Sequence, residues 1–101
     1  MRKDGTMTEP SEVTDNQDAS RFELTLDGHV AVLNYRRDGD RLVLVHTGVP
    51  GELEGRGLGG VLVAAAVDQA EEKDLTVVTE CDFARGWLER HPEVAGRVTL
   101  G

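Results

Sequence analysis

The chain has 101 residues, 39% of them hydrophobic and 30% charged, and its 19 acids against 11 bases give a net charge of −8. That length holds one small domain with little room for a deep enclosed pocket, and the acidic balance excludes a nucleic-acid or anionic-membrane binder, which needs a basic face. Cys81 is the single cysteine, which leaves no internal disulfide framework and no second thiolate for a zinc site; no apolar run reaches the ~18 residues of a membrane helix and no signal-peptide stretch opens the chain, so a cytoplasmic protein is expected.

Residues 1–19 offer Val13 and two methionines as their sizeable apolar groups, too few to offset the entropy of ordering, and are expected to form a solvated, disordered tail before a domain spanning 20–101. From Arg21 the pattern alternates, with Phe22, Leu24 and Leu26 on one face, which predicts a strand. Asp27-Gly28 is a tight-turn pair, and His29–Arg36 follows as a second strand. Asp38-Gly39-Asp40 repeats the turn chemistry and leads into Arg41–Thr47, an apolar run suited to a central strand buried on both faces. These three strands form an antiparallel meander.

Gly48 to Gly60 is a glycine-rich loop, and beyond it the period changes to that of a helix, with Leu58, Val61, Leu62 and Ala65 at i, i+3, i+4 and i+7; the helix is placed over Gly57–Lys73. Leu75–Glu80 is β-branched and reads as a fourth strand, returning parallel after the helix. Asp82 is expected to cap a short helix that carries Phe83, Trp87 and Leu88 and stops at Pro92. The segment after it to Gly101 gives no signal.

The chemistry concentrates in Glu54-Gly55-Arg56-Gly57-Leu58-Gly59-Gly60, placed between an apolar strand and a helix. Glycines let a backbone approach a ligand closely, and the first amides of a helix are unpaired and carry the positive end of its dipole, so the segment can hold an anion such as a pyrophosphate, with Arg56 as the loop's one cation. It lacks the Gly-Lys-Ser/Thr ending of a nucleotide-hydrolase phosphate loop. Three antiparallel strands precede it, which excludes a Rossmann topology.

Together, His46-Thr47-Gly48-Val49-Pro50, the Glu54–Gly60 loop, Cys81-Asp82-Phe83 and Arg90-His91-Pro92-Glu93 stand in the order found in short GNAT-like acetyltransferases, and the chain resembles that minimal branch of the GNAT superfamily over about residues 21–97. The resemblance implies an α/β (α+β) fold and an acetyl-CoA-dependent N-acetyltransferase with no metal, acting on an amine acceptor as a monomer or homodimer. It also implies that the amides of Gly55, Arg56, Gly57, Leu58, Gly59 and Gly60 hold the CoA pyrophosphate, while the strand end at Thr47 and Val49 pairs with the pantetheine arm. The thioester would lie between the meander's last strand and the parallel one, and Glu54 would face solvent. The same fold could instead serve as a non-catalytic CoA-binding or protein-interaction module, or as a thiol-reactive sensor.

Cys81 is expected at a strand's C-terminal end just before a helix, where the helix N-terminus favours a thiolate and the flanking Glu80 and Asp82 oppose one; the sequence leaves the sign open. It is read as the catalytic candidate, either as acetyl-accepting nucleophile or as general acid to departing CoA, against the alternative of a small buried hydrophobe. His46 reads either as a base for the amine or as a strand-end histidine held by the backbone, His91 as a helix-end residue, His29 as solvated, and Trp87 as a core anchor that borders the cofactor in a second reading. Tyr35, the sole tyrosine, lies on an early strand, which argues against a tyrosine acid.

Overall fold

The computed structural model describes residues 12–101. Its elements are β1 (Thr14–Asn16), β2 (Arg21–Leu26), β3 (His29–Asp38), β4 (Arg41–Gly48), α1 (Leu58–Lys73), β5 (Thr76–Thr79), α2 (Asp82–Arg90), α3 (Pro92–Ala95) and β6 (Thr99–Leu100). The strands form one sheet in chain order, with β1 to β4 antiparallel and β5 and β6 parallel to β4. The expected meander, helix and parallel strand are all present. None of the described helices is long and apolar enough to cross a membrane.

The helices share one face of the sheet. Phe22, Leu24, Ala31, Leu33, Leu42, Leu44 and Val77 join α1 and the Ala84 and Leu88 side of α2 in a single core, whereas Val43 and Val78 of the same strands stand outside it. The expectation that β4 is buried on both faces therefore holds only for part of the strand. Val43 is buried without a helix above it, because its cross-strand neighbour Arg36 reaches over β4 to pair with Glu80 at 3.0 Å, while Val45 is left 36% exposed.

α1 starts and stops on backbone chemistry. Gly57 caps it in the left-handed region at φ 74°, and Asp74 ends it in the same region, returning its amide to the carbonyls of Ala70 and Glu71. Its buried surface is wider than the expected stripe and includes Gly59, Gly60, Val63, Ala66, Val67 and Ala70. The helix is wedged between the sheet and α2, so two sides are covered rather than one.

Three further expectations are corrected. Residues 1–11 lie outside the described residues, but the remainder of the expected tail is ordered: β1 pairs with β2, and Asp15 accepts hydrogen bonds from the Tyr35 hydroxyl at 2.6 Å and from Gln69 at 3.0 Å. Polar anchoring, together with Val13 against the core, supplies what apolar content alone did not. The helix cap is Cys81, and Asp82 is the first helical residue, its carboxylate taken by Arg85 at 2.6 Å. Finally, Pro92 opens α3 as well as following α2, since proline fits the first helical position, and the segment beyond it returns as β6, with Arg97 bridging to Asp68 and Glu71 of α1.

Candidate active site

β4 and β5 run side by side only from Arg41 against Thr76 to Leu44 against Thr79, closed by the Glu80 amide donating to the Leu44 carbonyl at 2.8 Å. Beyond that point β4 continues to Gly48 while the segment after β5 turns into α2, so the strands part and the second half of β4 has a free edge. A β-bulge lies where they part. Asn34 faces His46 and Tyr35 faces Leu44, which leaves Val45 as the extra residue of β4.

The bulge decides which side chain enters the gap. With uninterrupted alternation His46 would follow Leu42 and Leu44 onto the helix-covered face; with Val45 inserted, Thr47 shares that face with Leu33, and His46 shares the outer face with Asn34. The His46 side chain is exposed there and makes no hydrogen bond among the described residues, so the backbone-held reading is not realised, and the face it occupies is opposite to that of Thr47.

Thr47 meets Cys81 across the gap, Oγ1 to Sγ 3.3 Å. Burial pushes the Cys81 thiol up, but the Thr47 hydroxyl and the amides of Ala84, Phe83 and Thr47 favour the charged form, and the net displacement is downward. The two helix amides aim their positive ends at the sulfur without closing a cap hydrogen bond. The opposing acids are neutralised: Glu80 pairs with Arg36 and Asp82 with Arg85. The sign that the sequence left open is set downward by the Thr47 contact together with the amides of the following helix.

Next to this pair lies a groove of about 410 Å³ between the loop after β4 and the first turns of α1 and α2. Of the residues expected at the cofactor, Thr47, Val49, Gly55, Gly57, Leu58 and Gly59 line it; Leu53, Glu54 and Phe83 complete it. Phe83, 42% exposed, was read as part of a short helix and of the Cys81-Asp82-Phe83 motif but not as a groove residue, and its place there follows from α2 crossing α1 at Gly59. Two residues do not face the groove as expected. Gly60 faces Trp87, and Arg56 donates to Asp27 of the β2–β3 turn at 2.9 Å. His29 lies 3.9 Å from Glu52, and His91 stacks on Trp87 with its Nδ1 2.8 Å from the Trp87 carbonyl oxygen. A larger hollow beneath α3 and β6 is lined by no cysteine, serine, histidine or lysine, and no cluster of metal ligands occurs among the described residues.

The sequence profile of the GCN5-related N-acetyl-transferase family matches residues 21–97. The chain belongs to that family. Its relatives include Protein NATD1 of Gallus gallus and of Mus musculus, each 34% identical over 86 residues, covering 82% of this chain and 78% of theirs. Human Protein NATD1 is 34% identical over 86 residues as well, with 76% of its length covered. The solution structure of a GCN5-like protein from Staphylococcus aureus superposes with a TM-score of 0.70 at 31% identity, over 93% of this chain and 92% of that one.

The GCN5-related N-acetyl-transferase family uses acetyl-CoA in general. α1 has no side-chain cap and no acid in its first turn, so the amides of Leu58, Gly59 and Gly60 remain available to an anion.

Proposed function

We propose that this protein is an acetyl-CoA-dependent N-acetyltransferase in which Cys81 accepts the acetyl group as a thioester and passes it to an amine. The observation that carries the reading is the ring of donors around the Cys81 sulfur, in contact with Thr47 at the rim of the groove. In the first step the Cys81 thiolate attacks the thioester carbonyl of acetyl-CoA, the new S–C bond replaces the old one, and CoA departs as a thiolate. A neutral amine then attacks the acetylated Cys81, the amide forms, the amine's proton passes to water and the Cys81 thiolate is regenerated. The chain's part is to hold the sulfur charged and to present the α1 amides, with the edge of β4 around Thr47 and Val49, to the donor. Tyr35 supports the absence of a tyrosine acid, since its hydroxyl is committed to Asp15.

The test is intact mass after incubation of the protein with acetyl-CoA and no amine. One added acetyl group on the Cys81 peptide, discharged by a panel of primary amines, is expected. Turnover without an adduct points instead to direct transfer with Cys81 as the acid. A second reading, a CoA-binding or interaction module without chemistry, is favoured by Glu54 on the groove and by Arg56 turned to Asp27, and would leave neither adduct nor turnover.

The Arg56 contact gives a separate prediction. Asp27 sits at φ 53°, a conformation asparagine also adopts, so Asp27→Asn keeps the turn while releasing Arg56 toward the groove. CoA binding should tighten by about two- to fivefold in low salt, the scale of an exposed ion pair, as measured by calorimetry.

A further inference from the structure

We infer that Thr47 is a positioning residue for Cys81, delivered to it by the Val45 bulge, which fixes the sulfur in the gap and donates to it when it is charged. The inference rests on Cys81 being the reactive group, and it goes further in assigning a task to a side chain that the family resemblance offered only as a backbone partner of pantetheine. A thiolate has no proton to give, so in the Thr47–Cys81 contact the hydroxyl must be the donor. Among the described residues no other side chain donates to the sulfur: Arg36 and Arg85, the nearest cations in sequence or register, are engaged by Glu80 and Asp82. Geometry makes the contact depend on one extra residue. Without Val45 as the bulge, the alternation that puts Leu42 and Leu44 on the inner face would place His46 there and turn Thr47 outward.

Cys81 is 8% exposed, so its orientation is restricted and loss of a single donor is not made up by bulk water. The backbone amides of Thr47, Phe83 and Ala84 stay in any variant, which separates the hydroxyl's share from theirs.

Alkylation of Cys81 by iodoacetamide, followed from pH 5 to 10 without CoA, reads this ionisation directly. Thr47→Val keeps a β-branched side chain in the strand, and it should slow alkylation at neutral pH by about three- to tenfold and move the profile to higher pH. Thr47→Ser should restore the wild-type profile. Thermal melting of each variant checks the fold, and Thr47→Ala serves if the valine variant melts early. A valine or alanine variant that melts like the wild type and alkylates with an unchanged profile overturns the inference, as does a serine variant that fails to rescue. Because no acetyl donor is present, the result is independent of whether Cys81 is acetylated in the proposed reaction.

Discussion

Replacing Cys81 with alanine is expected to lower amine acetylation by at least about a thousandfold, since removing an acyl-accepting nucleophile leaves only binding and orientation to speed the reaction. CoA binding should change little, because the groove is lined by the β4 end, the loop and the first turns of α1 and α2, and Cys81 is not among its lining residues. Cys81→Ser discriminates further. A serine hydroxyl does not ionise in this range, so donors that stabilise a thiolate gain nothing from it, and the variant should be nearly as inactive as the alanine one. The pH dependence carries the same signature. Folded Cys81 is displaced downward from its ordinary value, so the first half-reaction should rise with pH and level off below the range of a free thiol, whereas amine attack continues to rise as the acceptor loses its proton. Single-turnover acetylation across pH separates the two limbs. Turnover that forms no adduct and falls as pH rises would mean that Cys81 works protonated, as a general acid.

How much of this was readable beforehand depends on the kind of interaction. The strands β2, β3 and β5 and the helix α1 were legible within a residue or two, because alternation, turn dipeptides and a change of period each leave a local trace. The bulge left none. Leu42, Val43, Leu44 and Val45 are all apolar, so the parity of β4 is not encoded in its own pattern, and with it the exchange of His46 for Thr47 was hidden. β1 was missed for the opposite reason: its order comes from Asp15 reaching Tyr35 and Gln69, partners 20 and 54 residues away, and not from burial of its own apolar groups. The sign of the Cys81 displacement likewise needed Thr47, a partner 34 residues away that no local pattern places against the sulfur. β6 has two residues, too few for any periodicity.

Gly60 shows how one glycine carries a second constraint besides the one its motif suggests, and its replacement by alanine should be the more damaging of two adjacent changes. A Cβ there would stand 2.2 Å from Nε1 and 2.9 Å from Cε2 of Trp87. The indole is backed by the His91 ring, stacked at 3.9 Å and held at the Trp87 carbonyl, so it has little room to retreat without moving α2. Overpacking of this kind costs about 1–3 kcal/mol, offset by up to about 1 kcal/mol of better helix propensity. For a domain of this size the net loss corresponds to a Tm lowered by about 5–10 °C. Gly59→Ala also meets an aromatic ring, Phe83 at 2.7 Å, but that side chain is 42% exposed and can swing toward solvent. Its Tm should fall less, while the groove that Phe83 lines narrows or opens and CoA affinity changes more. The decisive measurement is a cycle with Trp87→Leu: if the indole is the obstacle, Gly60→Ala should cost far less in the leucine background than in the wild type. Equal losses in both backgrounds would place the constraint on the backbone of α1 itself, and the two helices would then owe their close approach to something other than the missing side chain.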